Sequence, residues 1–461
     1  MGNTTITNET QQNTRKKQKI GIENFELIET LSKSVNGEVF LVQKKETKEL
    51  YAMKVLLKEK LQEEQQIKNV KNERKVLVEL DHPFIISLKY SFQTSTHLFL
   101  LTEYATGGDL YGLLNRESEI HESLARILIS EVILALEYIH SKGIAYRDLK
   151  PENILIDQSG HIKICDFGLA RFLGKRRSNK TKTFCGSPEY LSPEIIKHQP
   201  YGRETDLWSL GIVLYEILHR LPPFYSTNRQ VMYKKILNAP IKFSNRISED
   251  AKSLISCLLI REPMLRLGTG KKGFENIKKH SFFYGVDWNK VYEKEYETGF
   301  STEPKEISIN RDENIQFDLE SVLSTQFSFL KIHSNNSKKI RDPFFKHFDY
   351  NYEKHQKQEK KKKKRKEKRK QRKNDEIFTF NFEMNENGNT SQNTNKNTSQ
   401  NTSQNISQNI SQNVSESEND FPLDFLVEYD FTIAINKEKI LQQNIYQQKI
   451  YQNSIENLIT N

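Results

Sequence analysis

A set of charged and amide residues in the middle of the chain has the composition of a phosphate-handling site. The stretch YRDLKPENIL contains Asp148, Lys150 and Asn153, and Asp166 follows in DFG. Upstream, AMK places Lys54 on a predicted strand. Carboxylate and amide oxygens are ligands that hard cations such as Mg²⁺ prefer, and lysine ammonium groups bind phosphate as point charges. These residue types are therefore the ones that phosphoryl transfer needs.

The elements around these residues predict a small β lobe followed by a larger α lobe. After Gly107-Gly108 the apolar periodicity becomes helical, with a stripe over 124–139 that faces a core. The expected fold class is α+β, with an antiparallel sheet and one helix in the small lobe. Its strands are predicted at 25–31, 38–43, 50–57, 87–94 and 97–104, and its charged amphipathic helix at 62–79.

Taken in order along the chain, the motifs resemble the signature set of the protein kinases. Asp148 and Asn153 have the spacing of the kinase catalytic loop, and Glu194 in SPE completes the set. The resemblance implies a bilobal kinase fold that uses ATP and Mg²⁺. It also implies that Asp148 accepts or orients the proton of the attacking hydroxyl, and that Asn153 and Asp166 hold the metal.

The same resemblance gives expectations for the lysines and the nucleotide pocket. Lys150 is expected at the γ-phosphate and Lys54 at the α- and β-phosphates. Glu73 is the best candidate for the carboxylate that holds Lys54, while Glu63 and Glu64 are weaker alternatives at the solvated start of the helix. The residues expected to bind ATP are Leu31, Gly37, Val39, Ala52, Lys54, Thr102, Glu103, Ala105 and Phe317.

The nucleotide loop departs from the family pattern. The segment that should contain three glycines reads LSKSVNGEV, so only Gly37 remains, and Ser32 and Ser34 replace the other two. Glycine lets the backbone approach phosphates and adopt φ angles that other residues resist. We expect an active kinase with weaker or altered nucleotide binding, and a catalytically dead kinase-fold scaffold is the alternative.

Further motifs resemble the AGC group of serine/threonine kinases, the group of protein kinases A, B and C, over about 25–350. They include Tyr146 before the Arg-Asp pair, the activation segment TFCGSPEYLSPE, HPFI and DLWSLG. The group resemblance implies activation by phosphorylation at Thr183. Arg147 and Arg171 would bind that phosphate through charge-assisted hydrogen bonds.

The AGC resemblance also implies a preference for substrates with arginine upstream of the phosphoacceptor. Asp109, Glu152 and Glu216 match the acidic positions that read this arginine, and Ser187 matches a hydroxyl position near the catalytic aspartate. We expect Glu194 to form a structural ion pair in the large lobe, with Arg266. The expected partners are basic protein substrates and an upstream activating kinase.

A tail of the AGC type is expected over 284–351. Its segment FKHFDY resembles the hydrophobic motif F-x-x-F-[S/T]-[F/Y]. Phe345 and Phe348 would fill an apolar pocket beside the small-lobe helix, and Tyr350 ends the motif. Asp349 lies where many members are phosphorylated, so a fixed carboxylate would supply negative charge there.

The net charge of +10 is concentrated in one stretch. Residues 360–373 carry twelve basic and one acidic side chain, so the rest of the chain sums to −1. This distribution argues against specific DNA binding through a broad cationic face. The run is either a contact for an anionic membrane, RNA or an import receptor, or a solvated linker.

Composition divides the chain into segments. Three cysteines, an odd number, favour a reducing compartment, and we expect a monomeric, cytoplasmic protein, with a nuclear location left open by the basic run. Gly2 follows Met1, but Ile6 stands where myristoylation expects Ser or Thr, which favours an ordinary disordered start. The segments are a disordered N-terminus (1–24), the kinase domain (25–283), the tail (284–351), a basic and then Asn/Ser/Gln-rich disordered linker (352–420) and a segment of unassigned role (421–461).

Overall fold

The computed structural model describes residues 20–34, 37–61, 63–174, 176, 179–270, 272–300, 345, 348–365 and 367. The chain divides into two compact units, Met1–Ile377 and Phe378–Asn461, and every described residue belongs to the first. The predictions for Gly2, Phe317 and segment 421–461 lie outside the described residues. Within the described ranges, no helix is long and apolar enough to cross a membrane.

A six-stranded antiparallel sheet forms the small lobe. Alternation along its strands buries Tyr51, Met53 and Val55 in one apolar cluster with Phe25, while Leu56 belongs to the cluster on the opposite side. The strand order is β1-β2-β3-β5-β4-β10, for β1 (Phe25–Ser34), β2 (Gly37–Lys44), β3 (Leu50–Leu57), β4 (Leu88–Gln93), β5 (His97–Glu103) and β10 (Tyr350–Asn351).

Helix α1 (Glu64–Glu79) contributes to the apolar cluster that contains Leu56. Ile67, Val70 and Leu77 recur at helical spacing and are buried there, against side chains of β4 and β5. Glu73 is buried as well, at 5% exposure. The register of α1 therefore brings a carboxylate into the interior of the small lobe.

The large lobe is helical and is built around α5 (Glu204–His219). The run from Leu207 to Ile217 is buried on all sides of this helix, which explains why it lacks a polar face. The other elements are the helices α2 (Leu110–Arg116), α3 (Glu122–Ser141), α4 (Pro193–Ile196), α6 (Arg229–Asn238), α7 (Glu249–Leu258), α8 (Phe274–Lys278) and α9 (Trp288–Tyr292), and the strand pairs β6 (Ile144–Ala145) with β9 (Arg171–Phe172) and β7 (Ile154–Ile156) with β8 (Ile162–Ile164).

The α+β architecture with a small β lobe and a larger helical lobe is confirmed. The prediction that 352–420 is a disordered linker is wrong at its start, because a helix, α10, covers 352–365. Asn351 caps this helix, since its Oδ1 accepts a hydrogen bond from Lys354 N at 3.1 Å. The helix has no apolar stripe to reveal it in the sequence, and contacts with the small lobe support it instead.

Candidate active site

Lys54 and Glu73 form an ion pair that joins β3 to α1. Lys54 Nζ lies 2.7 Å from Glu73 Oε1 and 3.6 Å from Asp166 Oδ1. Burial lowers the pKa of Lys54, but the charges of the two carboxylates outweigh burial and raise that pKa above its usual value. Glu64, the weaker alternative from the sequence, pairs with Lys68 on the exposed side of α1 at 2.9 Å. Lys54 is therefore a fixed cation between the lobes.

Asp148 lies at the centre of a compact hydrogen-bonded group. Its Oδ1 accepts hydrogen bonds from the Ser187 hydroxyl at 2.9 Å and from Ser187 N at 3.2 Å. Its Oδ2 accepts from Asn153 Nδ2 at 2.9 Å and lies 3.6 Å from Lys150 Nζ. Lys150 Nζ also donates to the Ser187 hydroxyl at 2.8 Å. A carboxylate that already accepts from a hydroxyl beside an ammonium group is placed to receive a proton from a substrate hydroxyl.

Asp206 of α5 holds this loop from the interior of the large lobe, and the sequence analysis did not single it out. Asp206 is fully buried; its Oδ1 accepts from Arg147 N at 2.7 Å and its Oδ2 from Tyr146 N at 2.9 Å. His140 Nε2 lies 2.7 Å from Oδ2. These contacts hold Arg147 at a φ of 71°, which non-glycine residues rarely adopt. The motif DLWSLG contained the signal, but its partners are distant in sequence.

Asp166 and Asn153 are the residues that could hold a cation. The Asp166 side chain is 51% exposed, and the Lys54 ammonium holds the pKa of its carboxyl below the usual value, so it stays ionised. Mg²⁺ is usually bound by one or two carboxylates that substrate phosphates and water complete, and the oxygens of these two residues fit that requirement. Among the described residues, no group of three or more His, Cys, Asp or Glu could hold a metal by itself.

Four residues of the predicted nucleotide pocket lie side by side on three neighbouring strands. Val39 of β2 is opposite Lys54 of β3, and Ala52 of β3 is opposite Thr102 of β5. Leu31 lies farther along the sheet in β1 and is 38% exposed. The sheet thus brings an apolar surface next to the lysine ammonium, as a base and its phosphates would require.

Glu103 and Ala105 lie where the chain passes from the small lobe to the large lobe. The Glu103 carboxylate accepts hydrogen bonds from Lys163 Nζ at 2.8 Å and from Ser87 N at 2.9 Å. Ala105 is buried at 8% exposure. Because the Glu103 side chain is engaged by these donors, a nucleotide would meet the backbone at this position.

Packing explains why Gly37 remains in the nucleotide loop. A Cβ at this position would lie 2.3 Å from the carbonyl oxygen of Val55, which no side chain could avoid. Ser32 is paired with Val39, and Ser34 with Gly37, in the β1–β2 ladder. The hairpin therefore forms without the two missing glycines.

Thr183 lies beside Arg171, whereas Arg147 reaches it through another side chain. Arg171 Nη1 donates to the hydroxyls of Thr183 at 3.0 Å and Thr181 at 3.1 Å. Arg147 Nη1 donates to the Tyr201 hydroxyl at 3.2 Å, and that hydroxyl donates to the carbonyl oxygen of Thr183 at 2.5 Å. Both arginines are thus connected to the segment that the sequence analysis expects to be phosphorylated.

The three acidic residues predicted to read arginine have different surroundings. Asp109 caps α2, where its Oδ1 accepts from Gly112 N at 2.6 Å. Glu216 is buried and accepts from the Tyr190 hydroxyl at 2.6 Å. The Oε2 atom of Glu152 is buried and has no hydrogen-bond partner in the described part of the chain. A buried carboxylate oxygen without a donor is unfavourable, so Glu152 has capacity for a charged donor from a ligand.

The aromatic residues of the predicted hydrophobic motif are docked on the small lobe. Phe345 and Phe348 are 1% and 3% exposed. The Phe348 carbonyl oxygen accepts from Arg74 Nε at 2.6 Å and from the Ser91 hydroxyl at 2.5 Å, and the Phe345 carbonyl oxygen accepts from Gln93 Nε2 at 2.9 Å. Both side chains belong to the same apolar cluster as α1.

The residues after the second phenylalanine extend the sheet. Tyr350 pairs with Ser91 in the β10–β4 ladder, and burial raises the pKa of Tyr350 to about 12. Arg74 Nη2 donates to the carbonyl oxygen of Asp349 at 3.1 Å. Because Arg74 follows Glu73 directly in α1, the docked tail is connected to the residue that pairs with Lys54.

Glu194 and Arg266 form a buried, bidentate ion pair in the large lobe. Arg266 Nη1 lies 2.8 Å from Glu194 Oε1, and Nη2 lies 3.0 Å from Oε2. Their exposures are 2% and 1%. This pair connects the end of the activation segment to the loop after α7.

Comparisons with known proteins agree with this geometry. The family model for the protein kinase domain matches residues 25–283. A RAC family serine/threonine-protein kinase homolog of Dictyostelium discoideum is 42% identical over 280 residues, which cover 61% of this chain and 62% of the relative. Serine/threonine-protein kinase sgk-1 of Caenorhabditis elegans is 43% identical over 277 residues, which cover 60% of this chain and 59% of the relative. Serine/threonine-protein kinase gad8 of Schizosaccharomyces pombe is 42% identical over 279 residues, which cover 60% of this chain and 48% of the relative.

The match spans less than two thirds of the length of each of these relatives, whereas the kinase-domain match alone covers more than half of this chain. The chain therefore belongs to the protein kinase family.

Proposed function

We propose that this chain is an ATP- and Mg²⁺-dependent serine/threonine protein kinase of the AGC group. One observation carries the proposal: the Asp148 carboxylate accepts from a hydroxyl while Lys150 lies beside it and Asn153 donates to it. The names of the matched relatives support the serine/threonine class.

Each residue of the cleft has a separate role in phosphoryl transfer. This reaction depends on alignment and charge neutralisation more than on covalent chemistry. Asp148 accepts or orients the proton of the substrate hydroxyl, and Lys150 contacts the γ-phosphate. Lys54 contacts the α- and β-phosphates, held in position by Glu73. Asn153 and Asp166 bind Mg²⁺, which neutralises phosphate charge when it is present.

Basic peptides are the proposed substrates. Glu152 follows Asp148 by four residues and has a buried carboxylate oxygen without a partner among the described residues, and Asp109 and Glu216 supply two further carboxylates on the large lobe. A guanidinium group matches carboxylates in a bidentate geometry, which favours arginine over lysine. We propose an R-x-x-S/T type of preference on this basis.

Two events would regulate the enzyme. An upstream kinase phosphorylates Thr183, and Arg171 then holds the phosphate, with Arg147 nearby. Docking of Phe345 and Phe348 supports α1 and so the Lys54–Glu73 pair. The proposed protein is a monomer in the cytoplasm, and entry to the nucleus is the alternative. The basic run at 360–373 would bind an anionic partner.

Phosphate transfer to a positional-scanning peptide library, by protein phosphorylated at Thr183, tests this function. We expect selection of arginine upstream of Ser or Thr, and a loss of about 10²- to 10⁴-fold in kcat with Asp148→Asn. Lys54→Met should also abolish transfer. Asp250→Asn, a matched change on the exposed side of α7, should leave the rate unchanged. Phosphorylated wild-type protein that is inactive on every basic peptide would refute the proposal.

A catalytically weak or dead scaffold is the alternative, and the replacement of two loop glycines by Ser32 and Ser34 favours it. Isothermal titration with Mg²⁺–ATP separates the two functions. A measurable affinity that Lys54→Met removes supports the enzyme. No affinity for ATP, together with unchanged partner recruitment by Asp148→Asn, supports the scaffold.

A further inference from the structure

Helix α10 is anchored to the small lobe by one face. Tyr352 and Gln356, one helical turn apart, both donate to Asp81: the Tyr352 hydroxyl to Oδ1 at 3.3 Å and Gln356 Nε2 to Oδ2 at 3.0 Å. Lys89 Nζ lies 4.6 Å from the centre of the Tyr352 ring. His355 lies on the same side, 5.5 Å from the ring of Tyr350 between centroids. These residues are only half-buried, so the anchor is polar and short.

The opposite face of α10 is a row of cations. The residues of this outer row are Lys354, Lys357, Lys361, Lys364 and Arg365, and all five are exposed. The four lysines recur at intervals of three or four residues, and Arg365 follows Lys361 by four. This spacing places all five on one side of a helix, over a length of about 15 Å. The exposed Glu353, four residues before Lys357, borders the row at its N-terminal end, and no carboxylate lies within the row after it. A straight row of cations therefore lies on the face opposite the anchor, and Lys360, Lys362 and Lys363 extend the exposed positive charge to the other faces of the helix.

The helical state of this segment is weakened by its own charge. Between 360 and 365 every side chain is cationic, so all i,i+3 and i,i+4 neighbours repel. The pair Lys362–Glu359, at 2.7 Å, offsets a small part of this repulsion. A helix of this length is marginal in water without tertiary contacts. Its persistence therefore depends on the Asp81 anchor and on β10, which precedes it.

We propose that the outer row of α10 binds the surface of an anionic membrane, and that this binding stabilises the docked hydrophobic motif. A bilayer presents a plane of negative charge, and a straight row of cations on the face opposite the anchor can lie along such a plane. Four of the five cations are lysines, which act as point charges without the bidentate geometry that nucleic-acid recognition favours. The row also lacks aromatic side chains on which single-stranded bases could stack.

The coupling follows from the shared helix. Undocking of Phe348 would detach β10 and remove the contacts that keep 352–365 helical, and a disordered segment no longer presents an aligned row. Anionic lipid offsets the repulsion among the lysines and so favours the helical, docked state. Thermodynamic linkage requires both effects to have the same size. The effect on activity rests on the proposed kinase function, whereas the binding and the coupling do not.

Sedimentation of the full chain with lipid vesicles tests the binding. We expect binding to phosphatidylcholine vesicles that contain phosphatidylserine, none to pure phosphatidylcholine, and weakening by salt. The triple variant Lys357→Gln, Lys361→Gln, Lys364→Gln should bind about 100-fold more weakly, at about 1 kcal/mol per removed charge.

A matched triple variant removes the same charge from the large lobe. Lys197→Gln, Lys234→Gln and Lys290→Gln change three exposed lysines and should leave vesicle binding within about twofold of wild type. An equal loss in both triple variants would overturn the proposal, because it would show an effect of net charge alone. Tighter binding to duplex or single-stranded RNA than to the anionic vesicles would overturn the choice of a membrane.

Hydrogen–deuterium exchange on the same samples tests the coupling. Anionic vesicles should slow exchange of the amides of β10 and α1, and Phe348→Ala should weaken vesicle binding by between about 5- and 150-fold. The double variant Tyr352→Phe, Gln356→Ala removes the two hydrogen bonds to Asp81 and leaves the apolar pocket filled. It should also weaken vesicle binding. Unchanged exchange on vesicle-bound protein would refute the coupling. Neither readout requires catalysis, so an inactive enzyme with intact binding and coupling would contradict only the proposed function.

Discussion

Glu73→Gln should impair the enzyme far more than Glu64→Gln, although both changes remove a carboxylate from α1 that pairs with a lysine. The two ion pairs have similar lengths, 2.7 Å for Glu73 with Lys54 and 2.9 Å for Glu64 with Lys68. Their surroundings differ: the Glu73 side chain is 7% exposed and the Glu64 side chain 78%. The same chemical change is thus made once inside the protein and once on its surface.

The structure sets the size of the two effects. Removal of one partner from a buried ion pair costs about 3–5 kcal/mol, because the other charge stays behind. Lys54 is 29% exposed and keeps Asp166 at 3.6 Å, so the lower end of this range applies. About 3 kcal/mol corresponds to a loss of roughly 100-fold in kcat/KM for ATP. An exposed pair contributes about 0.3–0.5 kcal/mol, or roughly a factor of two.

The assay is phosphate transfer to a basic peptide at varied ATP concentration, with a thermal melt of each variant. The melts show whether each protein is folded at the assay temperature. The reasoning fails if Glu73→Gln stays within about threefold of wild type while folded, or if Glu64→Gln is equally damaging. Lys68→Gln should reproduce the small effect of Glu64→Gln.

Three further predictions concern stability and the nucleotide loop. Arg266→Met should lower the unfolding free energy by about 3–5 kcal/mol in denaturant titrations, whereas Lys279→Met, which breaks an exposed pair, should stay within about 0.5 kcal/mol. Burial lowers the pKa of His82 from 6.5 to about 4, and its neutral Nδ1 accepts a hydrogen bond from Phe84 N at 3.2 Å. Because the unfolded chain binds the proton at a higher pH than the folded chain, the unfolding free energy should fall as pH drops from 6.5 toward 4. His82→Asn should reduce this dependence of stability on pH. Gly37→Ala places a Cβ against the Val55 carbonyl oxygen, so we expect a loss of about 1–3 kcal/mol in stability and a higher KM for ATP. Denaturant titration and phosphate-transfer kinetics on the variant and the wild type check both effects.

Sequence patterns could predict the elements whose information is local. Short runs rich in apolar residues located β2 and β3 to within one residue at each end, and helical periodicity located α1 to within two residues at its start. Glu73 could be chosen as the neighbour of Lys54 because its place in the helix limited the alternatives. The structure brings these two side chains into contact.

Contacts between distant parts of the chain were not predictable in the same way. Asp206 holds the loop of Asp148 through backbone amides, which leave no trace in side-chain patterns. The engagement of the Glu103 carboxylate by Lys163 depends on how two loops meet. Helix α10 is polar throughout, and its support from Asp81 comes from 271 residues away in sequence. Composition therefore indicated disorder where tertiary hydrogen bonds maintain a helix.

Strand β10 also has a consequence for solubility. It pairs with β4, which would otherwise be the outermost strand of the small-lobe sheet. An unpaired outer strand is a template on which a second chain can add its own strand. By occupying this position, the tail protects the sheet against self-association. A protein shortened before residue 345 would therefore lose a regulatory segment and would also expose β4 as an unpaired edge strand.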